Sequence, residues 1–98
     1  MTGRVAGKLA LVTGAAQGLG AAHCQRLAEE GARVLCTDIN EEGAQRTAES
    51  VNHHFGTDTA FALRHDVTSP EDWDAAIATA REKLGGLSVL INNAGLMP

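Results

Sequence analysis

Short, uninterrupted apolar runs alternate along this chain with segments whose apolar residues repeat at helical spacing. The apolar runs occupy residues 9–12, 34–36, 60–63 and 89–91. Runs of this kind, without alternating polar residues, are typical of parallel strands that are covered on both faces. The alternation predicts the order β-α-β-α-β-α-β and, through right-handed crossovers, a doubly wound parallel α/β sheet.

Two of the three intervening segments show helical periodicity next to cap signals. In residues 18–30 the apolar positions fall largely on one face, and Gly31 follows where a left-handed cap would end the helix. In residues 41–54 an apolar stripe again repeats at helical spacing, with Asn40 as the predicted N-cap. The residues of these stripes are Leu19, Ala22, Leu27 and Ala28 in the first helix and Ala44, Thr47, Ala48 and Val51 in the second.

The third segment has the strongest helix-start signal. Ser69 is the predicted N-cap, Pro70 occupies the first helical position, two acids fill the first turn, and the glycine pair at 85–86 ends the segment. Trp73, Ile77, Ala80 and Leu84 then repeat at helical spacing. The carboxylates beside Trp73 are interpreted as a solvated helix start, and the indole as a packing anchor.

Composition limits the class of protein. The 98 residues are 44% apolar and carry a net charge of −4, which fits one small globular domain over residues 1–98. The absence of a basic stripe argues against nucleic acid as a main partner, and no apolar run approaches the roughly 20 residues of a membrane-spanning helix. Cys24 and Cys36 are predicted to be buried free thiols. Without a secretory signal, they favour a cytoplasmic location.

A glycine-rich turn follows the first predicted strand. Gly14, Gly18 and Gly20 allow a tight turn that a phosphate can approach without meeting a Cβ atom, and the next helix offers unpaired N–H groups. The spacing G-x-x-x-G-x-G is neither the G-x-G-x-x-G dinucleotide pattern nor a P-loop. On these residues alone, a phosphate site and a purely structural turn both stay open.

An acidic residue, Asp38, ends the second predicted strand, 18 residues beyond Gly20. That offset is close to the roughly 20 residues at which an acid meets the adenosine ribose in dinucleotide-binding folds. A carboxylate at that position would also repel a 2′-phosphate. The alternative is that Asp38 caps the helix that begins near residue 41, a role that Asn40 fills better.

The histidines carry weaker signals. His65 beside Asp66 resembles a base with its orienting carboxylate, but no nucleophile accompanies it, so a packed histidine at a strand end is the simpler interpretation. His53 and His54 are adjacent at a helix end, where histidines are usually exposed polar residues rather than metal ligands. The sequence therefore predicts no metal site.

Four motifs lie in a fixed order along the chain. They are Thr13-Gly14-x-x-x-Gly18-x-Gly20, Asp38, the pair Asp66-Val67, and Asn92-Asn93-Ala94-Gly95. Their order and spacing resemble the amino-terminal half of a short-chain dehydrogenase/reductase, from about residue 8 to residue 95. Within that family the chain is similar to bacterial NAD-dependent enzymes of secondary alcohols, including hydroxysteroid and cyclic alcohol dehydrogenases. The resemblance implies a Rossmann-type sheet that is cut short after its fourth strand.

The resemblance also implies that two of these motifs contact the phosphates and a sugar of a dinucleotide. The pyrophosphate turn would be shaped by Gly14, Gly18 and Gly20 and lined by Gln17 and Leu19. The fourth motif would pass beside the ribose with Asn93, Ala94 and Gly95, while Asn92 would tie that loop to the sheet.

The other two motifs would hold the adenosine end of the cofactor. The resemblance implies that Asp38 and the Ile39 backbone hold the ribose, that Asp66 bonds the adenine amino group, and that the Val67 N–H meets the ring. Family members that prefer NADP usually carry a basic residue just before the second glycine or just after the acid of the second strand. Those positions hold Gln17 and Ile39, which favours NAD as the cofactor.

None of the family's catalytic residues is present. The family uses Ser, Tyr and Lys beyond the Asn-Asn-Ala-Gly loop, whereas this chain has no tyrosine and no lysine besides Lys8 and Lys83. The resemblance implies that the full-length form, in a family that commonly forms dimers and tetramers, moves a hydride between NAD and a secondary alcohol or ketone. The 98 residues would at most bind the adenosine part. A non-catalytic nucleotide-binding module and an inactive fragment remain alternatives.

Overall fold

The computed structural model describes residues 7–93, which form one parallel sheet with helices on both faces. The elements are β1 (Leu9–Thr13), α1 (Gly18–Glu29), β2 (Arg33–Asp38), α2 (Glu41–Phe55), β3 (Ala60–Arg64), α3 (Pro70–Leu84) and β4 (Val89–Asn92). The strands are arranged β3-β2-β1-β4, and each neighbouring pair is parallel. The predicted doubly wound α/β sheet is therefore confirmed.

The two faces of the sheet pack against different helices, because successive strand residues point to opposite sides. The core between the sheet, α1 and α2 consists of Val12, Ala15, Cys24, Ala28, Ala32, Val34, Cys36, Ala48, Val51 and Ala60. The core between the sheet and α3 consists of Leu11, Leu35, Ala76, Ala80 and Leu84. The helices thus cover both faces of the two central strands.

The outer strands of the described sheet are less covered than the central ones. The central strands β1 and β2 are buried along almost their whole length. By contrast, β3 is only partly buried, and alternate residues of β4 are exposed, with Leu90 at 50%. The prediction of coverage on both faces is therefore wrong for β3, since the helices pack over the middle of the described sheet.

The first helix buries a different face from the one that its large apolar residues predict. The buried residues of α1 are Gly20, Cys24 and Ala28, whereas Leu19 is 66% exposed. Small side chains at this spacing let the helix lie close to the sheet. Leu19 and Ala22, which is also exposed, therefore lie outside the face that packs on the sheet. The stripe predicted for α2 is fully buried.

Local cap chemistry agrees with the sequence analysis. The Asn40 Oδ1 atom accepts a hydrogen bond from Gly43 N at 3.1 Å, and the Ser69 hydroxyl accepts one from Asp72 N at 3.2 Å. Gly31 and Gly85 adopt positive φ angles of 97° and 92° at the ends of α1 and α3. These conformations favour glycine, so both helices end where the sequence predicts.

The two cysteines are buried and free, as predicted. A hydrogen bond with the Cys36 thiol, together with burial, raises the pKa of the Cys24 thiol. A thiol that resists ionisation is a poor nucleophile, so this pair belongs to the core. In residues 7–93, no helix has both the length and the apolarity that crossing a membrane requires.

Candidate functional site

The carboxyl ends of the parallel strands meet at one edge of the sheet, and the loops that follow them surround a small cavity. Its volume is about 130 Å³. The lining residues are Gly14, Asp38, Ile39, His65, Asp66 and Val67. The fold therefore brings together three separated motifs that the sequence analysis singled out. It adds His65, which the sequence analysis interpreted as a packing residue.

The carboxylate of Asp38 bridges two loops at this edge. Its Oδ2 atom accepts a hydrogen bond from Ala16 N at 3.0 Å, and its Oδ1 atom accepts one from Asn40 N at 2.9 Å. The capping oxygen of α2 comes from Asn40, so Asp38 is not the N-cap of that helix. Each carboxylate oxygen can accept more than one hydrogen bond, so both can still accept from a ligand.

The glycine-rich turn is fixed by backbone and side-chain groups of β2 and α2. Ala15 N donates to the Thr37 carbonyl at 2.9 Å, and the buried Thr47 hydroxyl donates to the Ala15 carbonyl at 2.7 Å. Gly43 packs against the same turn, because a Cβ atom on it would lie 2.5 Å from the Ala16 Cβ atom. The sequence analysis missed Gly43, although a glycine inside a helical pattern often signals close packing.

The three glycines of the turn are required for two structural reasons. Gly14 and Gly18 have positive φ angles of 65° and 61°, which side chains other than glycine rarely adopt. Gly20 instead lies against the turn itself, since a Cβ atom there would overlap the Gly14 carbonyl and lie 2.9 Å from Asn93 Nδ2. The turn and the first turn of α1 are therefore packed backbone to backbone.

The amino terminus of α1 is left open toward this edge. Its N-cap, Gln17, makes no side-chain capping hydrogen bond, and the first turn, which contains Leu19, carries no acidic residue. The amino termini of α2 and α3 each have a side-chain cap and two acids in the first turn. The free N–H groups and the positive end of the helix dipole of α1 thus lack the negative partner that the other two helices have within the described chain.

The loop after β3 presents an acceptor beside a donor. The Asp66 Oδ1 atom accepts hydrogen bonds from the hydroxyl and the N–H of Thr68, at 2.6 and 2.9 Å. These two bonds lower the pKa of Asp66, the hydroxyl bond most, so its carboxyl group is ionised and only accepts hydrogen bonds. Within residues 7–93 the Asp66 Oδ2 atom and the Val67 N–H have no hydrogen-bond partner.

The last motif lies next to the glycine-rich turn. The Thr13 hydroxyl donates to Asn92 Oδ1 at 2.9 Å, which ties the end of β4 to the end of β1 as predicted. Asn93 Nδ2 donates to the Gly14 carbonyl at 3.4 Å. The predicted site residues Ala94 and Gly95 lie outside the described residues.

A buried histidine forms the back of the cavity. His65 is 1% exposed, and its Nδ1 atom lies 3.1 Å from the Thr37 hydroxyl oxygen. That hydroxyl donates its single proton to the Val12 carbonyl at 3.1 Å. In its contact with His65 it can therefore only accept, so the ring proton is assigned to Nδ1. The Nε2 atom is then unprotonated, and it has no partner among the residues that the structure describes.

Burial of His65 has a consequence for stability at mildly acidic pH. Desolvation lowers the pKa of His65 below its ordinary value of 6.5, although the carboxylates of Asp72 and Asp66 oppose the shift. Above that value the ring is neutral whether the chain is folded or not. Below it the ring takes up a proton in the unfolded chain but stays neutral in the folded chain. The free energy of unfolding therefore decreases as the pH is lowered, until the pKa of the folded chain is reached.

We therefore expect the free energy of unfolding to decrease as the pH is lowered from about 7.5 to about 5.5, partly through this ring. His65→Asn is the matched control, since its amide nitrogen can replace Nδ1 and does not titrate. Denaturant titrations at both pH values should show a smaller decrease in the variant. Equal decreases in the two proteins would contradict the role assigned to His65.

Two adjacent histidines lie near the end of α2. His53 and His54 contact each other edge to face, with ring centroids 5.3 Å apart, at the end of α2. Among residues 7–93, no three His, Cys, Asp or Glu side chains are grouped closely enough to hold a metal ion.

Comparisons with known proteins agree on one family. Residues 8–98 match the family model described as short chain dehydrogenase. The chain is 48% identical over 97 residues to 2,5-dichloro-2,5-cyclohexadiene-1,4-diol dehydrogenase LinX of Sphingobium indicum, covering 99% of this chain and 38% of that protein.

Two solved structures show the same fold. A hydroxysteroid dehydrogenase from Escherichia coli superposes with a TM-score of 0.88 at 36% identity, over 97% of this chain and 43% of that one. A 3-ketoacyl-(acyl-carrier-protein) reductase from Brucella melitensis, complexed with NADH, gives a TM-score of 0.80 at 36% identity, over 88% of this chain and 33% of that one. The chain thus spans less than half the length of these relatives.

Proposed function

Because this chain belongs to the short-chain dehydrogenase family, we propose that residues 1–98 are the NAD-binding part of an oxidoreductase that transfers a hydride between NAD and a secondary alcohol or ketone. One observation carries this proposal. Gly14 of the glycine-rich turn, the Asp38 carboxylate and the Asp66-Val67 pair line one cavity, and the open amino terminus of α1 follows that turn at the same edge of the sheet. These groups complement the pyrophosphate, the ribose and the base of a dinucleotide.

The pyrophosphate is proposed to lie at the start of α1. Its negative charge would meet the unpaired N–H groups of the first turn and the positive end of the helix dipole. Gly14 and Gly18 leave the approach free of Cβ atoms. Leu19, which is 66% exposed, is proposed to line this approach together with Gln17.

The adenosine ribose is proposed to bind to Asp38. The two backbone hydrogen bonds that this carboxylate accepts hold it in one orientation before a ligand arrives. Two neighbouring hydroxyl groups can then donate to its oxygens, whereas a 2′-phosphate would meet a like charge. The Ile39 side chain is 59% exposed and adds no positive charge that would attract such a phosphate. We therefore propose NAD rather than NADP as the cofactor.

The base is proposed to be adenine because of the hydrogen-bonding pattern that faces the cavity. An ionised Asp66 accepts, and the free Val67 N–H donates. The edge of adenine presents the complementary pair, an amino group and an unprotonated ring nitrogen. Hypoxanthine presents a carbonyl and a protonated nitrogen along the same edge. Its carbonyl would face the Asp66 carboxylate, which is also an acceptor, and its protonated nitrogen would face the Val67 N–H, which is also a donor.

Turnover requires groups that this chain does not supply. A hydride transfer at a carbinol needs a residue that moves the hydroxyl proton, and the 98 residues contain no tyrosine. We therefore propose that these residues alone bind the cofactor without turnover, in the cytoplasm, and that the family's proton-transfer residues complete the enzyme in a longer chain. NADH formation from a secondary alcohol by the isolated 98 residues would contradict this.

The charge at the carboxyl end of β2 provides a test of the proposed preference for NAD over NADP. We expect calorimetric titration to show tighter binding of NAD than of NADP. In the double variant Asp38→Ser, Ile39→Arg the ratio of the two dissociation constants should shift toward NADP by at least about tenfold, since a repulsive charge is exchanged for an attractive one.

The single variant Ile39→Gln is the control for this titration. It changes the same exposed position without adding charge, so its NAD to NADP ratio should equal that of the wild type. An unchanged ratio in the double variant would refute the assignment of cofactor choice to the end of β2.

A further inference from the structure

The loop that presents Asp66 and Val67 to the cavity is held from behind by the first turn of α3. The Asp72 Oδ2 atom accepts a hydrogen bond from Asp66 N at 2.8 Å. The Trp73 indole N–H donates to the Val67 carbonyl at 2.9 Å. Both contacts come from residues that the sequence analysis interpreted as a solvated helix start and a packing anchor.

The two contacts fix the peptide units on either side of the one that faces the cavity. Asp66 N belongs to the peptide unit between His65 and Asp66, and the Val67 carbonyl belongs to the unit between Val67 and Thr68. The unit between them carries the unpaired Val67 N–H. Because each unit is planar, anchoring both neighbours leaves this N–H little freedom to turn away from the cavity.

The anchoring side chains are themselves held in place. The Trp73 ring stands edge to face against His65, with ring centroids 4.4 Å apart and an interplanar angle of 88°. His65 in turn contacts the Thr37 hydroxyl on the central strand β2 at 3.1 Å. Trp73 also packs against the buried core beneath α3. Trp73 and His65 therefore connect the loop to the sheet and fix its position relative to β2.

We propose that Trp73 and Asp72 are positioning residues for recognition of the base, and that they set the discrimination between adenine and a purine with the reversed edge, such as hypoxanthine. This inference rests on the proposed function, which assigns the cavity to adenosine. Neither residue contacts the base. They act by holding the Val67 N–H and the Asp66 carboxylate in the donor and acceptor arrangement that adenine matches.

The test compares the dissociation constants of adenosine and inosine 5′-monophosphate, measured by calorimetry on the protein at its natural length. Trp73→Phe retains an aromatic ring that can pack against His65, and it removes the indole N–H together with the five-membered ring that carries it. We expect its affinity for the adenosine nucleotide to fall about three- to tenfold while the inosine nucleotide changes little, so that the selectivity narrows. Asp72→Ala should likewise reduce the preference for the adenosine nucleotide over the inosine nucleotide.

Two control variants separate positioning from general loss of stability. Asp72→Asn retains an oxygen that can accept from Asp66 N, so it should keep the selectivity of the wild type. Ile77→Ala removes a partly buried side chain one turn further along α3, away from the loop. It should lower the free energy of unfolding with the selectivity unchanged, whereas a purely structural role for Trp73 would give the Trp73→Phe variant that same result.

The possible failures can be told apart. If the wild type prefers the adenosine nucleotide and both Trp73→Phe and Asp72→Ala keep that preference in full, the inference is wrong and the proposed function stands. If the wild type binds both nucleotides equally, or binds neither, the assignment of the cavity to adenosine fails and the inference fails with it.

Discussion

Replacing Gly20 by alanine should abolish cofactor binding and destabilise the fold by about 3 kcal/mol or more. A Cβ atom at this position would overlap the Gly14 carbonyl oxygen and lie 2.6 Å from its carbonyl carbon. Both obstacles are backbone atoms of the glycine-rich turn, so no flexible side chain can move aside. Either α1 or the turn must shift, and the proposed pyrophosphate site lies between them. Denaturant unfolding and calorimetric NAD titration measure the two effects.

The matched control is Gly18→Ala, two residues earlier in the same turn. A Cβ atom on Gly18 meets nothing within 4 Å, but its φ angle of +61° is unfavourable for alanine. That strain costs about 1–2 kcal/mol. We therefore expect Gly18→Ala to be clearly milder than Gly20→Ala. Equal losses in the two variants would mean that close packing is not what requires glycine at position 20.

Removing the carboxylate of Asp38 should weaken NAD binding by about ten- to a hundredfold. Hydrogen bonds to a charged group contribute roughly 1.5–3 kcal/mol, and about 1.4 kcal/mol corresponds to a factor of ten in affinity. In Asp38→Ala the ribose loses its acceptor, while Ala16 N and Asn40 N lose the groups that hold them. Isothermal calorimetry on the wild type and the variant gives the ratio directly, and an unchanged affinity would refute the ribose assignment.

A nucleotide lacking the 2′-hydroxyl separates the two roles of Asp38. The wild type should bind adenosine 5′-monophosphate more tightly than its 2′-deoxy form, and Asp38→Ala should bind the two alike, because the partner of the hydroxyl is gone. If the variant still discriminates between them, Asp38 acts by holding the glycine-rich turn rather than by binding the ribose.

Features that depend on neighbouring residues could be predicted from the sequence. The Asn40 side chain caps α2 by accepting a hydrogen bond from a backbone N–H only three residues away. The end of α3 requires only that Gly85 adopt a positive φ angle. The same holds for the stripe of α2, because helical spacing alone decides which of its residues face the same way. Each of these predictions is confirmed.

Features that depend on contact between distant segments were missed or misjudged. The apolar spacing grouped Leu19 with Ala28 on one face of α1, yet the helix packs on the sheet through small residues such as Cys24, and Leu19 is 66% exposed. Gly43 makes room for Ala16, which lies 27 residues earlier in the chain. A glycine inside a helical pattern can signal close packing, but it does not identify the distant residue that packs there.

By itself, the sequence determined the order of the elements, the burial of the two central strands and the chemical groups that stand at the strand ends. These follow from periodicity and from residue type, which are properties of short segments. Only the tertiary structure decided that Asp38 holds the glycine-rich turn and that His65 and Trp73 stand behind the loop after β3. The reason is that a hydrogen bond or a packing contact depends on which atoms meet within a few ångströms, and the packing of helices on the sheet sets those distances.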